Sequence, residues 1–333
     1  MNTYVYILAC ILVLYFGKFL FLPLLFALLT FIILKSLSNK LSTYKLYKFS
    51  INENLSLTIV CSFVFIIIYL LGVLIEINLS NVLNDINKYQ INTDNILIFL
   101  EKNNSNSPFL SFEKIFKNIN LAVILSKTLN FITGLAGNFS LVLLFLIFFI
   151  LEEKFLKIKI KKINSKTSTK NILKKINNQI YSYFQIKLLT SIFTGVLTFL
   201  ILIFYKSDLA VFFGIFALLL NFIPFIGSLL SIILPFCFSI IQNLNIFESF
   251  SIFILLTITQ VIIGNFLEPK LMGKSLNLSP LIMLITLSLM GKIWGLSGMF
   301  LSVPILVILL IVFSNFKKTQ RLAIILSEKG HIN

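Results

Sequence analysis

The sequence predicts an all-α polytopic membrane protein, with about eight transmembrane helices that include short, broken or re-entrant segments. Three observations lead there. The chain of 333 residues is 58% apolar and 12% charged, where a soluble domain averages about 45–50% and about 25%. Mean hydropathy is +1.00. The apolar residues gather in runs, and most charges fall between those runs. Spanning segments fill most of the chain, so residues 1–333 read as a single membrane domain.

In chain order, 4–16 and 19–34 read as a hairpin turning at Gly17–Lys18, and 57–77 as a third span. Residues 78–135 are mixed and more polar, and read as an external insertion. A fourth span covers 136–151. Residues 152–187 form a lysine-rich segment in which Ile172, Leu173, Ile176 and Ile180 have amphipathic spacing. That pattern fits an ordinary basic loop or a helix lying on an anionic membrane surface. Further apolar segments follow at 188–205, 209–222, 228–241, 249–267, 279–290 and 294–313. Several are too short to cross a bilayer alone, so some read as half-helices.

Net charge is +16, with a single arginine, Arg321. A basic excess can serve nucleic acid or a membrane surface. Here the lysines lie in particular loops between spans, so the bilayer is the expected partner and nucleic acid is not. With the N-terminus inside, loops 35–56, 152–187, 268–278 and the tail from 314 hold 20 of the 28 basic residues. Such a bias marks the cytoplasmic side, so both termini are expected in the cytoplasm. The start lacks a positively charged leader region, so no removable signal is expected. Cys10, Cys61 and Cys237 lie inside apolar segments, and His331 is the only histidine. No metal site, cofactor or His-based triad is expected from that set. No P-loop, nucleophile elbow or HExxH motif occurs, so nothing points to an enzyme.

Three interruptions remain. In "LLLNFIPFIGSLL", residues 218–230, Asn221, Pro224 and Gly227 break a long apolar run. This reads as a tight inter-helix turn or the tip of a broken helix beside a transport path. In "GNFLEPKLMGKSLNLSP", residues 264–280, charges and helix breakers sit between apolar segments. Gln260, Gly264, Asn265, Glu268, Pro269, Lys270, Gly273 and Lys274 are the candidates there. Asn265 and Glu268 would share a helix face. Pro269 should end the helix, leaving Glu268 at a C-terminus where the dipole disfavours it. Lys270 or Lys274 is the expected counter-charge. An ionisable residue against apolar segments is a functional candidate by default; a structural Glu–Lys clasp is the alternative. In "GKIWGLSGMFLSVP", residues 291–304, Gly291, Gly295 and Gly298 suit close helix packing, and Trp294 the membrane interface. One weak internal likeness, "GKFLFLPLLFALL" at 17–29 against "GMFLSVPILVILL" at 298–310, is compatible with a parallel repeat.

"NFIPFIGSLL" (221–230), "GNFLEPKLMGKSLNLSPLIMLITL" (264–287) and "WGLSGMFLSVPI" (294–305) together resemble the AI-2E family of bacterial transporters. The resemblance is strong from about residue 185 to 315 and one of layout before that. It implies a multi-spanning inner-membrane permease for a small molecule such as the quorum-sensing signal autoinducer-2. It also implies cation/proton exchange as an alternative activity, and it is compatible with a homo-oligomer. A non-transporting membrane scaffold, using the 152–187 segment as its binding surface, is the reading from another class.

Overall fold

The computed structural model describes residues 12–43, 53–102, 139–153, 167–243, 245–272 and 277–330, with single residues 9, 155 and 158. Every regular element among them is helical. In order these are α1 (Lys18–Thr43), α2 (Glu53–Asn84), α3 (Ile86–Lys102), α4 (139–153), α5 (Thr167–Phe204), α6 (Ala210–Leu220), α7 (Ile226–Asn243), α8 (Ile246–Gln260), a π-helical stretch (Val261–Leu267), α9 (Glu268–Met272), α10 (Pro280–Asn315) and α11 (Gln320–Leu326). A turn at Gly17 separates helical residues 12–16 from α1.

Among the described residues, six helices are long and apolar enough to cross a membrane. α2 is the extreme case. Its most apolar window has hydropathy 2.9 and is only 11% buried within the chain. Surface that apolar needs a lipid or protein environment. α6 is apolar but has only 11 residues, about 16 Å, too short to span. The lysine-rich 152–187 segment does not end before the next span. Its second half is the first part of α5, which runs unbroken to Phe204.

α10 is not one straight helix. Gly295 adopts φ 66°, ψ −147°, a region open essentially to glycine alone. There the chain folds back. A Cβ on Gly298 would lie 2.1 Å from the Met290 carbonyl oxygen, and one on Gly291 would lie 2.5 Å from the Met299 side chain. In a straight helix residues eight apart are about 12 Å apart along the axis. α10 is therefore a hairpin of two arms, 280–294 and 296–315. The glycines expected to pack between separate helices instead close this turn on itself.

Two compact units divide the chain. One comprises residues 1–64, 137–186 and 271–333. Its core includes Ala27, Leu34 and Leu146, and Phe31 stacks on Phe149 at 6.0 Å. Lys35 pairs with Glu153 at 3.1 Å, and the Ser56 hydroxyl donates to the Ser38 carbonyl. Trp294 donates its indole N–H to the Leu14 carbonyl, 2.9 Å away.

The other unit comprises residues 65–136 and 187–270. Leu79, Tyr89, Leu202, Phe213, Phe238 and Leu256 are central to its core. α5 and α6 meet closely, since a Cβ on Gly195 would lie 2.8 Å from the Gly214 carbonyl oxygen. At one end a polar clasp surrounds Asp208. Tyr89 donates to its carboxylate at 2.5 Å and Lys88 pairs with it at 3.6 Å. Asn78 donates to the Asp208 carbonyl and accepts from the Phe212 amide. Gln242 accepts from the Asp208 amide and donates to the Lys206 carbonyl. Burial, then the bond to Asp208 and the charges of Asp208 and Asp85, push the Tyr89 phenol above its usual range.

Candidate functional site

The site is built on α5 within the second unit. Lys187, Thr190, Ser191, Thr194 and Thr198 recur at helical spacing, so they lie within a 100° arc of the helix. All five are buried. Hydroxyls in an apolar helix satisfy themselves by bonding back one turn. Thr190 donates to the Lys187 carbonyl at 3.1 Å and Thr194 to the Thr190 carbonyl at 2.9 Å. The Thr198 hydroxyl is buried without a partner.

Asn221 reaches this stripe from the α6–α7 connection. Its amide donates to Ser191 at 3.0 Å and to Thr190 at 3.4 Å. The connection is a tight turn. Phe225 sits at φ 62°, an outlier for a bulky residue. A Cβ on Gly227 would lie 1.9 Å from the Leu220 carbonyl oxygen, so only glycine fits. Pro224 and Gly227 thus shape the turn, while Asn221 alone of the three turns a polar side chain onto the stripe.

Glu268 reaches the same stripe from the other side of the sequence. Its carboxylate accepts from Lys187 Nζ at 2.6 Å, with the two side chains 17% and 5% exposed. The sequence points instead to Lys270 or Lys274 as the counter-charge. Lys270 is exposed, and Gly273 and Lys274 lie outside the described residues. In sequence Lys187 is the last lysine of the 152–187 segment, which fits a basic loop or a surface helix. The signal that marks it is the polar periodicity running on from it into an apolar helix.

Pro269 does not end the helix. A proline inside a helix lacks its N–H and crowds the carbonyl four residues back, here Asn265. The chain answers with the wider π turn over Val261–Leu267 and continues as α9. π segments are rare and recur at functional sites. The wider turn also changes the face on which Asn265 lies relative to Glu268. Asn265 is exposed, whereas Gln260 is buried with its Oε1 unpartnered. Gly264 lies within the π turn, and a Cβ there would meet nothing within 4 Å. No packing demand explains that glycine.

The structure therefore brings Asn221 and Glu268 to positions one turn apart along α5, through Thr190–Ser191 and Lys187 respectively. Gly291, Gly295 and Gly298 belong to the α10 hairpin, not to this site.

A family model described as "AI-2E family transporter" matches residues 4–318. A "Putative transport protein" of Borreliella burgdorferi is 36% identical over 63% of this chain and 60% of its own length. One of Haemophilus influenzae is 30% identical over 67% of this chain and 66% of its own length. The "AI-2 transport protein TqsA" of Escherichia coli is 32% identical over 45% of this chain and 44% of its own. The alignments thus span from under half to about two thirds of the relatives' lengths.

Proposed function

The chain belongs to the AI-2E transporter family, and we propose that it is a gradient-driven carrier exporting a small polar molecule, with autoinducer-2 the first candidate. The observation that carries the reading is the pair of buried Lys187 and part-buried Glu268 at the end of a stripe of buried hydroxyls. A charge pair so placed costs desolvation that its mutual attraction only partly offsets. Within a membrane domain such groups are typical of substrate and ion pathways. Thr190, Ser191, Asn221 and the orphan Gln260 oxygen offer uncharged hydrogen-bonding groups, which suit a neutral polar substrate. The substrate itself comes only from the name of the Escherichia coli relative. No nucleotide-binding motif occurs in the sequence, so an ion or proton gradient is the energy source.

Glu268 is the coupling carboxylate in this reading. Substrate or ion entry competes with Lys187 for it, and alternating access follows from making and breaking the pair. The π turn beside Pro269 supplies backbone that can change pitch at little cost. The lysine bias of the loops supports a bacterial inner-membrane location with both termini cytoplasmic.

The same carboxylate favours a second reading, cation/proton exchange, in which the cation replaces Lys187 at Glu268. Proteoliposomes under an imposed pH gradient separate the two. Labelled autoinducer-2 and internal pH would be followed for wild type and Glu268→Gln side by side. Signal movement lost in the variant supports the exporter. Sodium-dependent pH change without signal movement supports exchange. No flux of either kind overturns both and leaves the scaffold reading.

A further inference from the structure

We propose that the C-terminal segment 316–326 is a dock for anionic lipid headgroups, and that the docked segment fastens the base of the α10 hairpin. The site lies at the end of a membrane-embedded arm. After Asn315 the chain breaks at Phe316, whose backbone is extended. Lys317, Lys318 and Arg321 follow within five residues of one another, all exposed. Residues 316–327 include no Asp or Glu, and Glu328 is exposed beside Lys329.

α11 carries the apolar half of the pattern. Ala323 is fully buried and faces inward. At 100° per residue, Arg321 and Ile325 lie near the centre of the opposite face, flanked by Leu322 and Ile324. Leu322, Ile324 and Ile325 are 47%, 47% and 60% exposed, and Phe316 is 55% exposed. An outward apolar face ringed by three cations, directly after a membrane arm, fits the anionic membrane surface. An acidic protein groove would satisfy the charges equally. It would not explain why the apolar face begins where the bilayer arm ends.

The segment also holds something. The Leu326 carbonyl accepts from the Ser279 amide at 2.9 Å, and Asn277 Oδ1 accepts from the Glu328 amide at 3.2 Å. Ser279 is the N-cap of α10 but makes no side-chain capping bond. One of the unsatisfied donors at that helix end is therefore satisfied by the tail. Thr319 steadies the tail in turn by donating to the Phe313 and Phe316 carbonyls. Lipid that fixes α11 thus fixes the start of the first α10 arm.

The test uses the full chain with Cys10, Cys61 and Cys237 changed to Ser and Ile325→Cys carrying a bimane label. It is reconstituted in phosphatidylcholine vesicles with equal fractions of phosphatidylglycerol. Brominated acyl chains are placed on one lipid or the other. Each basic residue near an anionic surface strengthens attachment about fivefold. Quenching by brominated phosphatidylglycerol should exceed that by brominated phosphatidylcholine. A Lys317→Gln/Lys318→Gln/Arg321→Gln variant should abolish the difference; these side chains are exposed, so the fold is not at stake. Amide exchange in the peptide containing Ser279 should slow when phosphatidylglycerol is present, and only with the three cations intact. Equal quenching by both lipids overturns headgroup recognition. No quenching by either means that water, a second copy or another protein covers the face, and overturns the dock. Exchange at Ser279 indifferent to lipid overturns the fastening.

Discussion

Lys187 and Glu268 stand 81 residues apart in sequence and meet at 2.6 Å. Neither alone is tolerable at that burial. Removing one partner of a buried pair strands the other charge and costs about 3–5 kcal/mol, while replacing both by apolar groups is often near neutral. Lys187→Met and Glu268→Gln should each lower the melting temperature of the purified protein. Lys187→Met combined with Glu268→Met should recover most of the loss in stability and none in transport. Melting curves in detergent, beside proteoliposome flux, check both halves. A double variant as unstable as the worse single one would mean that the two side chains are not each other's main partner.

Gly227 and Gly264 are a contrasting pair. Alanine at 227 drives its Cβ into the Leu220 carbonyl oxygen at 1.9 Å, and backbone cannot step aside cheaply. The expected loss is about 3 kcal/mol or more, in the upper range for point changes. Alanine at 264 meets nothing and has the better helix propensity, by up to about 1 kcal/mol. Gly264→Ala should therefore fold as well as wild type. If the π turn serves transport, flux should fall all the same. Unchanged flux and stability would leave the glycine without a role.

These two regions also show what the sequence discloses. The break at Asn221, Pro224 and Gly227 is legible because proline and glycine announce local geometry by themselves. Glu268 is legible because a lone carboxylate between apolar runs is rare. Its partner is not, because Lys187 follows nine other lysines of a basic segment and only the fold singles it out. Its place at the end of a lysine-rich segment fits a loop or a surface helix; the Thr190–Ser191–Thr194–Thr198 periodicity places it on a buried face. The π turn is hidden for another reason. Proline normally predicts an ending, and whether a helix ends or widens depends on what packs beyond it. Gly291 and Gly298 lie where backbone or side chain comes close, and Gly295 where the backbone turns, with open space around it. Spacing cannot say whether the approaching backbone belongs to another helix or to the same one folded back.

At the Asp208 clasp the titration has a definite sign. The Tyr89 phenol is raised in the folded state, by burial first and by Asp208 next. A raised group contributes stability that is complete below the unfolded tyrosine value, about 10, and is lost as pH climbs through the folded value. The clasp should thus hold from neutral pH to about 10 and weaken only above it. Tyr89→Phe should cost about 1.5–3 kcal/mol at neutral pH, the range for a hydrogen bond to a charged acceptor. The cost should shrink at alkaline pH, where wild type itself weakens. Melting temperatures of both proteins from pH 7 to 11 give the comparison. A difference that grows with pH would contradict the assignment of Tyr89 as the donor.

The α10 hairpin makes the most direct geometric claim. With Gly295 at φ 66° and ψ −147°, Gly291 and Met299 face each other, and a Cβ on Gly291 would lie 2.5 Å from the Met299 side chain. Disulfides need Cβ atoms about 3.5–4.5 Å apart. A straight helix would hold these residues about 12 Å apart and forbid the bond. Gly291→Cys with Met299→Cys, in a chain freed of Cys10, Cys61 and Cys237, should therefore oxidise within one chain. The smaller cysteine at 299 also relieves the crowding that a side chain at 291 would meet. Intact mass should fall by two hydrogens, with no dimer on a non-reducing gel. Gly295→Ala should abolish the crosslink, because alanine is strained by about 1–3 kcal/mol in that region of backbone space and favours straightening. A thiol pair that stays reduced under mild oxidant would show that the two arms form one continuous helix.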